Sequence, residues 1–213
     1  DGVKEILLTA ENTTDYVQDL EKQTGFENVL NDLAENLRNK ETWIRFLYTH
    51  PNSLTKNIVK VVKSHSNICS YYDVPVQHAA SDVLKRMGRP YKTRDLYDLF
   101  EMIREIDPDA ALRTTIIVGF PGETDEDFER LVEFVETVKF DHLGVFTYSD
   151  SDDLKSHNFN DHVPEEIAEK RHDQLMSIQA GISEKINEKH VGKDYLVLVE
   201  ESPEPGVYIG RTR

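Results

Sequence analysis

The run from Arg113 to Thr124 constrains the fold of this chain more than any other segment. Five consecutive β-branched residues, 114–118, predict a strand that is buried on both faces, as in a parallel sheet. Gly119 and the Pro121-Gly122 pair then predict a tight turn, and Thr124 caps a helix whose first turn carries three acids. The segment is one β/α unit, and its loop lies at the C-terminal end of a strand, where barrels and open α/β sheets place their chemistry.

Strand and helix patterns alternate along most of the chain. Strands are predicted at 6–10, 43–48, 71–74, 112–118 and 143–148, and helices near 26–37, 55–63, 81–87 and 93–106. This alternation indicates a parallel sheet with right-handed crossovers, so the predicted fold class is α/β.

The pattern changes after residue 148. A polar loop at 149–161 precedes a long helix, and two short strands at 195–199 and 207–209 are joined through 202–206. The predicted buried stripe of the helix is Leu175, Ile178, Ile182 and Ile186. We divide the chain into a core at 1–149, a loop and helix at 150–192 and the start of a β domain at 193–213. Its two ends suggest a piece of something longer, since the last strands lack a partner sheet.

Composition narrows the possible partners. The 213 residues carry a formal net charge of −15, which disfavours nucleic acid and anionic membranes and suits a basic partner, unless it serves solubility alone. No apolar run approaches the roughly 18 residues of a membrane span. The single cysteine, Cys69, excludes an intrachain disulfide, reads as a small buried apolar residue and indicates a reducing compartment, hence the cytoplasm.

Polar residues follow each predicted strand, and in a parallel barrel these exits share one face. They are Glu11-Asn12, His50, Asp73 with Gln77-His78, Gly119 to Glu123, and Tyr148-Ser149. Pro75 makes one exit extended, which would direct Gln77 and His78 across the barrel mouth. The alternative for His78 is an ordinary hydrogen-bonded loop histidine. Without a His-x-His or Cys-x-x-Cys pair, we expect no metal bound by these residues.

Several motifs together resemble one enzyme family. They are Gly2-Val3-Lys4-Glu5-Ile6 with Thr13-Thr14, Arg45-Phe46-Leu47-Tyr48, Gln77-His78 with Ser81-Asp82 and Leu84-Lys85-Arg86-Met87, Leu112 to Thr124, and Gly144 to Ser149. This combination is similar to radical S-adenosylmethionine (SAM) methylthiotransferases, densely to about residue 149 and more loosely to Arg213. Within that family it resembles the branch that modifies an aspartate of a small-subunit ribosomal protein. The tRNA-modifying branch usually has Gln-Ser-Gly at Gln77-His78 and Ser-Thr-Asp at 113–115.

The resemblance implies a partial, open (β/α) barrel of about six strands followed by a β domain of the TRAM type. It implies two 4Fe-4S clusters, one held by an upstream domain and one by a Cys-x3-Cys-x2-Cys loop after the first barrel strand. The chain would begin at the second strand, so the ligands of both clusters would lie outside it. One cysteine cannot supply three thiolates, and we expect these 213 residues alone to be inactive.

The resemblance also implies site residues and partners. Glu11 and Asn12, which stand where the branch usually has Gln-Asp, are expected near the methionine moiety of SAM, and the backbone of Ile117, Val118 and Gly119 near adenine. A glycine at 119 would allow close approach of the backbone to the ligand. Polar contacts within the barrel are expected from Gln77, Arg113 and Tyr148, and substrate contacts from His78, Asp150, Asp152 and Asp153. The implied partners are the ribosomal protein and an electron donor.

Three other functions remain open. An aldolase-type barrel lyase would need a Schiff-base lysine at a strand end, and none of the five exits carries one. A non-catalytic module would only dock a partner on the barrel face. A tRNA-adenosine methylthiotransferase would favour a more basic surface.

Overall fold

The computed structural model describes residues 2–16, 25–38 and 40–213. The strands are β1 (Glu5–Leu8), β2 (Trp43–Phe46), β3 (Tyr71–Asp73), β4 (Ala111–Val118), β5 (His142–Thr147), β6 (Val197–Glu204) and β7 (Val207–Thr212). The helices are α1 (Phe26–Asn36), α2 (Lys56–Ser64), α3 (Ser81–Arg86), α4 (Thr93–Ile106), α5 (Asp125–Val138) and α6 (Glu165–Glu188), and short 3-10 turns occupy Thr13–Asp15 and Lys155–Asn158. The predicted alternation of strands and helices is confirmed.

The first five strands are parallel and follow one another in chain order. β1 pairs with β2, and β4 pairs with β3 on one side and β5 on the other. Ile44 of β2 forms a parallel bridge with Ile68, just before β3, which links the two groups of strands. The Thr49 N–H also donates to the Asp73 carbonyl at 3.0 Å. Over the described residues, the strands form an open parallel α/β sheet rather than a closed barrel.

Polar side chains start two of the helices as predicted. The Ile58 N–H donates to Thr55 Oγ1 at 3.4 Å at the start of α2. At the start of α5, Thr124 and Asp127 form a capping box, in which each side chain accepts from the backbone N–H of the other residue. The α5 box fixes where the β4–α5 loop ends.

Strand β4 is buried on one face, not on both as predicted. Its residues alternate between buried and partly exposed, with Thr114, Ile116 and Val118 buried and Arg113, Thr115 and Ile117 on the other side. Ile116 and Val118 belong to the apolar core that the helices form with the sheet. The opposite face carries the partly exposed Arg113, Thr115 and Ile117 and corresponds to the inner face of a parallel barrel, and we call it the concave face.

Helix α6 and the β6–β7 ribbon complete the chain. Of the predicted stripe on α6, Leu175 is fully buried whereas Ile178, Ile182 and Ile186 are partly exposed, because Arg171 and Gln179 occupy buried positions instead. The antiparallel ribbon turns at residues 205–206, so the predicted connection over 202–206 is too long. Arg211 of β7 forms an ion pair with Glu5 of β1, which anchors the ribbon to the sheet.

No helix in the described part of the chain is both long and apolar enough to cross a membrane.

Candidate functional site

An ion pair lies on the concave face across β3 and β4. Arg113 Nη1 donates to Asp73 Oδ1 at 2.6 Å, and the Tyr48 N–H donates to Asp73 Oδ2 at 3.2 Å. The side chain of Asp73 is 1% exposed, whereas that of Arg113 is 37% exposed. A buried carboxylate therefore fixes one side of the guanidinium, and part of Arg113 remains accessible to an anionic or polar ligand group.

Asn12 connects the exits of β1 and β2. Its Oδ1 accepts from the Ser53 hydroxyl at 3.0 Å, from the His50 N–H at 3.2 Å and from the Thr14 hydroxyl at 3.0 Å. The carbonyl group of Asn12 is thus occupied by the protein, while its neighbour Glu11 is exposed. Contact of either residue with a methionine moiety stays a prediction, and Glu11 is the more accessible of the two.

Gln77 extends the pairing between β3 and β4. Its N–H donates to the Thr115 carbonyl at 2.9 Å, and its own carbonyl accepts from the Ile117 N–H at 2.8 Å. The residue adopts a left-handed conformation with φ 69°, which turns the chain sharply before His78. The backbone of Gln77 is therefore fixed beside β4, and the side chain is half-buried.

His78 does not extend across the barrel mouth as predicted, because the structure buries it, and its contact with a substrate stays a prediction. Its side chain is 0% exposed, its Nδ1 accepts from the Ala80 N–H at 2.9 Å, and burial lowers its pKa to about 3. The turn at Gln77 directs the ring inward, beneath the β4 exit, rather than across the mouth. The ring is neutral, because an imidazolium would be desolvated there.

Glu123 organises the exit of β4. Its Oε2 accepts from the N–H groups of Gly119 at 2.6 Å and Phe120 at 3.2 Å, and its Oε1 accepts from Arg171 Nη1 at 3.1 Å. The Glu123 side chain is 0% exposed and that of Arg171 is 7% exposed. Burial raises the pKa of Glu123 to about 7, opposed by Arg171 and by the two N–H groups. This buried pair ties the loop after β4 to helix α6.

His78 contacts the same carboxylate region. Its Nε2 lies 3.8 Å from Glu123 Oε2, and this nitrogen has no hydrogen-bond partner among the described residues. Exits of β3 and β4 and helix α6 therefore meet around one carboxylate. The sequence contained one signal for Glu123, an acid directly after a Pro-Gly turn, but none for Arg171, which lies 48 residues further along the chain.

Gly119 makes its closest approach to helix α6. It has φ +76°, and a Cβ atom there would lie 2.5 Å from the Cβ of Ala168. Ile117 is partly exposed on the concave face and Val118 is buried in the core. The glycine is thus required by the turn and by helix packing, whereas proximity of residues 117–119 to adenine stays a prediction.

The exit of β5 is a more exposed arrangement. Tyr148 stacks edge-on against Phe120 with ring centroids 5.2 Å apart, and its hydroxyl donates to Asp150 Oδ1 at 3.0 Å. Asp150 also pairs with His157 Nδ1 at 2.8 Å, and this hydrogen bond lowers the pKa of Asp150. Asp152 and Asp153 are exposed beside it. The structure therefore places three of the predicted substrate-side acids on one accessible loop.

The sequence contains a single cysteine, whereas an iron–sulfur cluster loop needs three thiolates. Cys69 is fully buried, and burial raises its pKa to about 11, which disfavours a thiolate. The described residues include no group of three or more His, Cys, Asp or Glu side chains arranged to hold a metal ion.

Two curated relatives match almost the whole of this chain in sequence. The RimO ribosomal protein uS12 methylthiotransferase of Clostridioides difficile is 47% identical over 212 residues, which cover 100% of this chain and 47% of that protein. The same enzyme of Desulfosudis oleivorans is 46% identical over 210 residues, covering 99% of this chain and 47% of that protein. The chain thus spans about half the length of the curated relatives it matches.

Solved structures share the fold at low sequence identity. Coproporphyrinogen III oxidase (HemN) from Escherichia coli superposes with a TM-score of 0.57 at 16% identity, over 73% of this chain and 37% of that chain. Methylornithine synthase (PylB) gives 0.55 at 11% identity, over 83% and 48%. A model of the radical SAM superfamily matches residues 1–135, more than half of the chain. The chain folds into an open parallel α/β sheet with its polar strand exits on one rim. It therefore belongs to the radical SAM superfamily.

Proposed function

We propose that this chain is part of a methylthiotransferase that adds a methylthio group to the β-carbon of an aspartate in ribosomal protein uS12. The observation that carries the proposal is the similarity to RimO proteins along 99–100% of the chain at 46–47% identity. The net charge of −15 supports a basic protein substrate over tRNA.

SAM would bind on the concave face. Radical SAM membership implies SAM and a 4Fe-4S cluster as cofactors. The partly exposed Arg113, fixed by Asp73, is suited to a carboxylate such as that of the methionine moiety. We place Glu11 and Asn12 near that moiety, the backbone of 117–119 near adenine, and Gln77 and Tyr148 as further polar contacts. These groups would orient the cofactor and exclude water from it.

The cluster would be held outside these 213 residues. Cys69 is the one cysteine present, and its burial leaves it unsuited to the task. We propose that the whole protein supplies the ligands of this cluster and of a second 4Fe-4S cluster. An external electron donor would reduce the first cluster. Residues 193–213 would begin a TRAM-like domain, and the cytoplasm would be the site of action.

The test is methylthiolation of uS12 by the whole protein. We expect mass spectrometry to find one added methylthio group on a uS12 aspartate after incubation with SAM, reductant and reconstituted protein. Modification of tRNA adenosine with no change in uS12 would contradict the proposal.

A separate experiment tests whether Arg113 binds SAM. We expect Arg113→Gln to weaken SAM binding by about tenfold, the loss of one charge-assisted contact. Arg104→Gln is the matched control, because Arg104 pairs with Asp141 at 3.3 Å on the helix side of the sheet. Equal SAM affinities in the two variants would remove Arg113 from the site.

A further inference from the structure

Strand β5 has a free edge. Over the described residues it pairs with β4 on one side only. An edge strand presents unpaired backbone N–H and C=O groups, which are a template for another strand. Helix α6 runs beside β5 in the opposite direction, because its N-terminal half lies near the end of β5 and its C-terminal half near the start. Edge and helix therefore form the two walls of a groove.

Two neighbouring cavities occupy this groove, with volumes of about 360 and 560 Å³. The residues of β5 contribute one wall at both cavities, joined at the smaller one by Asp141 and by Arg113 of β4. The residues of α6 contribute the other wall and lie three or four positions apart or side by side, which is one helix face. The helix residues are Glu169, His172, Asp173, Met176, Gln179, Ala180 and Ser183. A single face of α6 thus follows β5 along its length.

The dimensions of the groove suit an extended peptide. The six residues of β5 span about 20 Å at roughly 3.3 Å each, and residues 169–183 of α6 span about 21 Å at 1.5 Å each. One strand of about six residues would pair with β5 along this distance. Phe146, 59% exposed, and Met176, 39% exposed, offer apolar contacts to its side chains.

One buried polar atom in the groove lacks a partner. Gln179 is 4% exposed, and its Nε2 donates to the Phe140 carbonyl at 2.8 Å, while its Oε1 accepts no hydrogen bond from the described residues. A buried acceptor of this kind is costly unless a ligand supplies a donor. Gln179 lines the smaller cavity, so its side chain is part of the groove wall.

The charge of the groove favours a basic ligand. Arg113 is paired with Asp73, and Asp141 with Arg104. Exposed Glu169 forms no ion pair in the described part of the chain, and Asp173 pairs only with its neighbour His172. The remaining charge along the α6 wall is therefore negative, as is the whole chain.

We propose that the groove between β5 and α6 binds an extended, basic segment of the protein substrate by strand addition to β5. The inference rests on the proposed function, because it takes the substrate to be uS12. Backbone hydrogen bonds would supply affinity, and the acids of α6 would select basic side chains. The strand would lie beside the concave face and bring an adjacent substrate residue toward Arg113.

Peptide binding to the whole protein tests the groove without requiring turnover. Fluorescently labelled short peptides tiling uS12 of Clostridioides difficile are titrated and followed by anisotropy. We expect one basic segment to bind, and Ala180→Trp, which fills the groove from an exposed helix position, to weaken that binding at least about tenfold. Gln174→Trp is the control, since Gln174 is an exposed residue of α6 that lines neither cavity, and should bind as the parent does.

A second pair of variants tests the wall formed by β5. At Gly144 a Cβ atom would meet only Phe146 at 3.5 Å and Thr115 at 3.9 Å, so Gly144→Val should fold and yet narrow the groove. Glu169→Gln with Asp173→Asn should weaken binding and reduce its salt dependence. Equal peptide affinity in the Ala180→Trp and Gln174→Trp proteins, or no binding of any uS12 peptide, would overturn the proposal that the groove binds the substrate. Failure of the whole protein to modify uS12 would instead overturn the proposed function.

Discussion

The exits of β4 and β5 use similar polar groups in opposite environments. At the β4 exit, Glu123 and Arg171 are 0% and 7% exposed, and the carboxylate also accepts two backbone N–H groups. At the β5 exit, Asp150 and His157 are 39% and 40% exposed, and their loop lies in solvent. A buried pair cannot exchange its partner for water, whereas an exposed one can. The β4 exit should therefore be a fixed support for the site, and the β5 exit an adaptable contact surface.

Removing one member of the buried pair should have the largest effect. We expect Arg171→Ala to lower the free energy of unfolding by about 3–5 kcal/mol, because Glu123 would remain buried without its cation. Urea unfolding measures the change. Arg94→Ala removes an exposed pair with Asp98 on α4 and should cost less than about 1 kcal/mol. Similar losses in the two variants would erase the distinction between the buried and the exposed pairs.

Packing at Gly119 should have the next largest effect. We expect Gly119→Ala to cost about 2–4 kcal/mol, since it combines a left-handed conformation with a Cβ placed 2.5 Å from Ala168. Adding Ala168→Gly should recover the part due to the steric overlap and leave the part due to the backbone. A double-mutant cycle by thermal unfolding measures the coupling. Full additivity of the two substitutions would show that the loop and α6 do not press on each other.

Acidification should weaken the buried β4 exit through His78. Its pKa is about 3 in the folded chain against 6.5 for a free histidine, so the unfolded chain binds the proton first. The stability contributed by neutral His78 is present above pH 6.5 and is lost as the pH falls toward 3. In urea titrations, the chain should lose more stability from pH 7 to pH 4 than a His78→Gln variant.

Glu123 should act in the opposite direction. Its pKa is raised from 4.5 to about 7, so its contribution is present below pH 4.5 and is lost as the pH rises through 7. A Glu123→Gln variant should therefore lose more stability on acidification than the parent chain. The same pH dependence in parent, His78→Gln and Glu123→Gln proteins would mean that neither group titrates as assigned.

Neutralising the β5 exit loop should have the smallest structural effect. We expect joint replacement of Asp150, Asp152 and Asp153 by Asn to leave the melting temperature unchanged, because these side chains are exposed. At low salt, the substituted whole protein should associate with uS12 more slowly than the parent does. SAM cleavage without substrate should be unaffected. A stopped-flow rate insensitive to both salt and substitution would show that the charge serves solubility alone.

Local patterns predicted much of the fold. Helix α4 has the bounds that its periodicity predicted, and Thr55 and Thr124 cap helices as expected. Each of these features depends on residues within one or two helical turns. The family resemblance predicted that the chain belongs to the radical SAM superfamily. The match of residues 1–135 to the model of that superfamily confirms this prediction.

The failures concern burial and long-range contacts. The one-sided burial of β4 depends on which face the helices cover. A run of β-branched residues does not indicate whether one face or both will be covered. The inward direction of His78 follows from the left-handed conformation of Gln77. A single glutamine in a sequence does not predict that conformation. The pair between Glu123 and Arg171 joins residues 48 positions apart, so no local spacing could reveal it.

Hydrogen–deuterium exchange of the whole protein tests the division between the two exits most directly. The protein is compared free, with SAM and with uS12, at peptide resolution by mass spectrometry. We predict that SAM slows exchange along β4 and the start of its exit loop, at 113–120, and that uS12 slows exchange along β5 and the loop to residue 157. Protection by SAM confined to the β5 exit, or identical protection by the two ligands, would contradict the placement of the cofactor on the concave face and of the substrate along β5 and its exit loop.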